Sequence, residues 1–152
     1  MKSRSTPGEV RALLRELSSQ LGLLNRQVGG QVDLREIDVG CLDFLARQGA
    51  MSPSGLARAS GIHPATVTGI LDRLEQGGWI ARERDPADRR IVLVHPLGKR
   101  APELMRLYAG MNGAVDTICA KYSTKELATI ADFLARVSAA GRIANAELSA
   151  TP

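Results

Sequence analysis

Four arginines fall within residues 82–90, with Arg82 and Arg84 before and Arg89 and Arg90 after the run Asp85-Pro86-Ala87-Asp88. A guanidinium is a permanent charge with planar donors that match phosphate or carboxylate oxygens. Upstream lies Pro64-Ala65-Thr66-Val67-Thr68-Gly69, small and mildly polar, with Arg73 one helical turn further on and the hydroxyls of Ser52 and Ser54 preceding it. These residue types hydrogen-bond and neutralise charge; they do not make or break bonds. A catalytic set would need a nucleophile beside a base, a carboxylate pair in a pocket or a metal cluster, and none has a recognisable spacing. Asp85 and Asp88 fall in a turn among arginines, where pairing explains them better than acid–base work. His63, His95, Cys41 and Cys119 are too few and too scattered for a zinc site or a disulfide framework.

The charge balance narrows the partner without fixing it. The 152 residues carry 20 Lys+Arg and 16 Asp+Glu, a formal charge of +4. Residues 52–100 hold eight basic and five acidic groups, a local excess of +3, against seven and six before them and five and five after. This compact excess is either an ordinary solvated surface or the footprint of an anionic partner. The five aromatics, Phe44, Trp79, Tyr108, Tyr122 and Phe133, are too few for a stacking platform that reads single strands. The N-terminal Met1-Lys2-Ser3-Arg4 leads into no apolar stretch and no run of about 18 apolar residues occurs, so neither secretion nor a membrane partner is expected. With free thiols, the expected location is a reducing cytoplasm.

The elements that must position these groups follow from caps and periodicity. Thr6, Pro7 and Glu9 make a capping-box start. Val10, Leu14, Leu17, Leu21, Leu24 and Val28 then step by four and three, a heptad seam ended by Gly29-Gly30. Such a seam either covers a core or pairs with a second copy. Asp33 to Gln48 reads as a second amphipathic helix with Ile37, Cys41, Phe44 and Leu45 on its apolar stripe, stopped by Gly49. Cys41 and Cys119 both read as buried small hydrophobes. Ser52-Pro53 opens a short helix stopped by Gly61. His63-Pro64 opens another through Gln76, its inner stripe being Val67, Ile70, Leu71 and Leu74. Trp79–Arg84 and Arg90–Val94 are two strands around the arginine-flanked turn. The remainder is helical: a stretch preceded by Pro102 and kinked at Gly110 and Gly113, then a capping box at Ser123–Glu126 and a last helix toward Gly141, with residues 147–152 frayed.

Helix, helix, helix-turn-helix, arginine-tipped hairpin and two further helices give a mostly α fold with a small β-hairpin wing: a winged helix-turn-helix over about 33–98, flanked by helices at 6–30 and 99–146 within one 152-residue domain. Here the chain resembles the MarR family of bacterial transcription regulators. The resemblance rests on Thr66-Val67-Thr68-Gly69-Ile70-Leu71-Asp72-Arg73-Leu74-Glu75-Gln76-Gly77-Gly78-Trp79-Ile80 and on the wing Arg84-Asp85-Pro86-Ala87-Asp88-Arg89-Arg90.

The resemblance implies a homodimeric, sequence-specific binder of double-stranded DNA, a repressor at a pseudo-palindromic operator, with the terminal helices as dimerisation arms. It implies that Pro64, Ala65, Thr66, Thr68, Gly69 and Arg73 face the major groove, whose width of about 12 Å admits a helix. Ser52 and Ser54 would meet phosphate. In the wing, comprising Arg82, Arg84, Asp88, Arg89 and Arg90, the Asp-x-Arg signature implies that Arg90 enters the minor groove and Asp88 orients it, with Arg89 a competitor should the turn slip by one residue. It further implies a small phenolic or lipophilic effector between arms and winged helix, at residues no motif marks. No cofactor, metal or enzymatic activity is implied. Two departures stand out: Gly69 where arginine is frequent, and His95 where a threonine often caps the next helix, read here as a substitute cap. The alternative is a winged helix that pairs with proteins and has lost specific DNA readout.

Overall fold

In the computed structural model, which describes residues 6–150, helices α1 (Pro7–Gln31), α2 (Glu36–Gln48), α3 (Pro53–Ser60) and α4 (Pro64–Gln76) precede a hairpin of β1 (Ile80–Arg84) and β2 (Val92–Pro96). A 3-10 turn at Gly98–Arg100 leads into α5 (Ala101–Cys119) and α6 (Thr124–Ser149). Local chemistry sets the helix starts. The Thr6 and Ser123 hydroxyls accept the Glu9 and Glu126 amides at 3.2 and 3.3 Å, and each glutamate reaches back to the cap's own N–H. Ser52 Oγ accepts the Gly55 N–H at 3.0 Å, and His63 Nδ1 accepts the Ala65 N–H at 3.2 Å.

Several boundaries differ from expectation. The first helix runs through Gly29-Gly30 rather than stopping there. Gly29 is buried, and a Cβ on it would collide with the Leu34 carbonyl, so this glycine serves close packing of the α1–α2 link. Asp33 has a φ of 58°, which no helix accommodates, and α2 accordingly begins at Glu36. Its inner stripe is Asp38, Val39, Cys41, Leu42 and Leu45; Ile37 is 40% exposed. The second strand starts at Val92, two residues late, because Asp88 accepts the Arg90 N–H at 3.0 Å and its carbonyl accepts the Ile91 N–H at 2.9 Å, holding both residues in the turn. His95 is not a cap. It lies in β2 opposite Ala81, with Nε2 3.9 Å from Glu83 Oε2. Helix α5 starts at Ala101, takes Pro102 into its first turn and runs unbroken through Gly110 and Gly113. Helix α6 passes Gly141 and continues to Ser149, so only Thr151 and Pro152 of the expected frayed tail lie outside the described residues. Cys119 is half-exposed rather than buried.

The core joins Leu34, Val39, Cys41, Leu42 and Leu45 of the α2 region to Leu56 and Ala57 of α3, the four inner residues of α4, and Trp79, Ile80 and Val94 of the hairpin. Leu104 and Tyr108 of α5 pack on its edge, and the Tyr108 hydroxyl donates to Asn25 Oδ1 of α1 at 2.7 Å. Burial dominates the upward shift of the Tyr108 phenol. Burying side chains the size of leucine contributes roughly 1.5–3 kcal/mol each, so this cluster is what holds α4 and the hairpin in place.

Candidate nucleic-acid interface

Helix α4 seals one face and leaves the other open. Val67, Ile70, Leu71 and Leu74 are at most 1% exposed, while Pro64, Ala65, Thr66 and Thr68 are exposed and Gly69 is half-buried. The Thr68 hydroxyl donates to the Pro64 carbonyl at 3.2 Å, which leaves its lone pairs outward. Gly77 and Gly78 close the helix, Gly78 with a φ of 72° that favours glycine, and turn the chain into β1. At the N-terminus of α3, Ser54 is exposed, and its hydroxyl lies 3.2 Å from that of Ser52, whose oxygen is already the helix cap.

The wing separates its arginines by what holds them. Arg90 projects with its side chain 91% exposed, while its Nε and Nη2 donate to the two oxygens of Asp88 at 3.1 and 3.3 Å. That side-chain bond, with the Arg90 N–H, holds the Asp88 carboxyl below the usual carboxylate range. The aspartate thus fixes the arginine and remains ionised to do so. Arg84 Nη1 donates to the Arg89 carbonyl at 2.6 Å and ties the end of β1 to the turn; the Arg89 side chain is exposed. Arg82 behaves differently. Its guanidinium is folded back on α4, with Nη2 2.7 Å from Asp72 Oδ1 and Nη1 3.0 Å from Glu75 Oε2.

Arg73, expected at a phosphate or guanine, is likewise held by a carboxylate. Its Nε and Nη2 donate to Asp38 of α2 at 3.0 and 2.6 Å, and the hydrogen bond to this fully buried carboxylate raises the arginine pKa further. Asp38 also accepts the Arg35 N–H at 3.0 Å, so the buried charge is well satisfied. Arg73 therefore fastens the outer edge of α4 to α2. Sequence reasoning passed over Asp38, and also Arg100. Arg100 stacks 4.0 Å over the Trp79 ring, donates to the Gly77 carbonyl at 2.6 Å and pairs with Glu103 at 2.8 Å, joining the end of α4 to the start of α5. The pairing raises the Arg100 pKa and lowers that of Glu103. An acid flanked by Ile37 and Val39 was the one available signal for Asp38; nothing in the sequence singles out Arg100.

Between α1, α2, the hairpin base and α5 lies a cavity of about 650 Å³ whose walls include Leu21, Asn25, Leu42, Trp79, Leu104 and Tyr108. Among the described residues no cluster of His, Cys, Asp or Glu could hold a metal ion, and no helix is long and apolar enough to cross a membrane.

Comparison with known proteins agrees with this geometry. Residues 38–92, from within the first turn of α2 to the first residue of β2, match the MarR family. The chain is 29% identical over 126 residues to the HTH-type transcriptional regulator YcgE of Bacillus subtilis, covering 83% of this chain and 82% of that one. In structure it matches a MarR protein from Peptoclostridium difficile with a TM-score of 0.67 at 14% identity, over 97% of both chains. It also matches MepR of S. aureus, solved bound to an oligodeoxyribonucleotide, with a TM-score of 0.58 at 19% identity over 86% of this chain and 96% of that one. Motif, Asp-x-Arg wing and fold agree: residues 38–92 carry the region that defines the MarR family, and along most of its length the chain is similar to helix-turn-helix transcriptional regulators.

Proposed function

We propose that the protein acts as a homodimeric, ligand-responsive repressor of a pseudo-palindromic operator in double-stranded DNA. The observation that carries the reading is the pairing of an uncovered α4 N-terminal half with a wing arginine, Arg90, that is charged, exposed and pre-oriented by Asp88. Pre-organisation of that kind lowers the ordering cost of a minor-groove contact. Ala65, Thr66 and Thr68 suit base edges and thymine methyls in the major groove, while Ser54 and the α3 N-terminus suit phosphate. The apolar residues left open on α1, α5 and α6 support pairing of two chains, which would set half-sites about 34 Å apart. A dimer covering such a site excludes polymerase, hence repression. The cavity beside Tyr108 suits an apolar effector with one hydrogen-bonding group, and such a ligand regulates only if it binds the DNA-competent and incompetent states unequally.

Fluorescence anisotropy on the duplex upstream of the protein's own gene, against a shuffled duplex over a range of salt, tests this. The expected result is tighter binding to the native duplex at two chains per site, with Arg90→Ala lowering the salt slope by about one. Equal, weak binding to both duplexes would instead favour a winged helix that pairs with proteins.

A further inference from the structure

The wing is a two-stranded ribbon, and a lone hairpin is marginally stable in water. Its base is anchored by Trp79 and Ile80, and β2 is held part-way along by Val94, which is bridged to Met51 and lies opposite Arg82, but its tip carries the arginine that matters. Five strand residues at about 3.3 Å each place that tip roughly 16 Å from the base at Ile80, so a tilt of about 10° there moves the tip by about 3 Å. A hydrogen bond does not survive such a displacement. Val94 holds β2 at mid-ribbon; the matching brace on β1 is Arg82, directly opposite it. Its backbone N–H donates to Glu75 Oε1 at 3.2 Å, and its guanidinium bridges Glu75 and Asp72, which stand three residues apart on one face of α4. The Arg82 side chain is 27% exposed, far less than that of Arg90.

We propose that Arg82, Asp72 and Glu75 form a clamp that fixes the distance and angle between the wing and α4, and that Arg82 is a positioning residue rather than a DNA contact. The clamp couples the two DNA-reading parts, so that a helix seated in the major groove presents Arg90 at a set place in the neighbouring minor groove. The inference rests on the DNA-binding reading above. Charge and position make opposite forecasts here. If Asp72 and Glu75 were only acids near DNA, neutralising them would relieve repulsion from phosphate and tighten binding. If they hold the wing, neutralising them loosens binding even though two negative charges are gone.

The test compares wild type, Asp72→Asn with Glu75→Gln, Arg82→Gln and Arg82→Lys on the native duplex across salt, and measures backbone NMR order in the free protein at residues 85–91. The clamp predicts that the double carboxylate variant and Arg82→Gln each weaken specific binding by about tenfold, comparable to the loss of one well-made contact, with the salt slope unchanged. Order at the wing tip should fall in both. Arg82→Lys should not recover wild-type affinity, since a point charge cannot bridge two carboxylates as a fork does. Unchanged or tighter binding by the carboxylate variant, a slope lowered by about one in Arg82→Gln, or an undisturbed wing tip would each overturn the clamp. Failure of the DNA reading itself would show separately, as wild type binding native and shuffled duplexes alike.

Discussion

The α4 stripe and the arms are built from the same aliphatic residues in the same rhythm, yet they end in opposite environments. Val67, Ile70, Leu71 and Leu74 are sealed by α2, α3 and the hairpin, whereas Leu107, Met111, Ile118, Ile130 and Leu134 on α5 and α6 are 36–53% exposed, and no described residue of α5 or α6 is buried. Periodicity establishes that a face is apolar; it says nothing of whether the same chain covers it. The winged helix closes within one chain. The apolar faces on α1, α5 and α6 are left uncovered by the chain itself, which is what the proposed second copy would bury.

The largest effect that can break this comparison comes from matched truncations. Leu71→Ala should cost about 2–5 kcal/mol in urea unfolding, because the residue is enclosed and its cavity cannot collapse freely. Its cost should not depend on protein concentration for a transition confined to the winged helix. Leu134→Ala should instead lower the midpoint more at low concentration than at high, since a partner's affinity is linked to stability by mass action. Equal, concentration-independent losses at both sites would mean that the arms have no partner.

The two cysteines sharpen the contrast at a somewhat smaller scale. Cys41 is buried in the core, and burial, with Asp38 nearby, pushes its thiol from 9.0 up to about 11. The raised value means that the folded state favours the neutral thiol. Stability from this group is therefore present below pH 9 and is lost as pH rises from 9 toward 11. At pH 8 the thiolate is about 100-fold scarcer than in the unfolded chain, so in a Cys119→Ala background the remaining thiol should react with a disulfide reagent at least that much more slowly when native than in urea. Equal rates would show that the winged helix opens as readily as the arms lie exposed.

What was legible in the sequence divides along physical lines. Capping boxes at Thr6 and Ser123, caps at Ser52 and His63, and the stop at Gly49 all depend on residues a few positions apart, and the helices they bound were anticipated. The family motif likewise lies on contiguous residues. Hidden were partnerships across the chain: Arg73 with Asp38, 35 positions away, and Arg100 with the Gly77 carbonyl, 23 away. An arginine on an outward helical position reads the same whether it meets solvent, phosphate or a carboxylate from another element. The fold alone reveals the carboxylate partners of Arg73 and Arg82, which the sequence leaves unmarked. The strand boundary at Val92 failed for a related reason, since the β-branched run gives no hint that Asp88 holds Arg90 and Ile91 in the turn.

The smallest effect probes the two faces of α4 itself. Gly69 lies mid-helix, and a Cβ there would meet only Arg73 Nη1, at an ordinary 3.6 Å. Gly69→Ala should therefore stabilise the fold by up to about 1 kcal/mol through helix propensity and a less free unfolded chain, or about 2–4 °C in melting temperature. If the outward face of α4 packs closely on base edges, the same methyl group should weaken specific DNA binding while the protein grows more stable. Stability and affinity moving in opposite directions would place Gly69 at the contact. Both rising together would mean that the glycine leaves a gap at the DNA, and that discrimination comes from Thr66, Thr68 and the wing on either side of it.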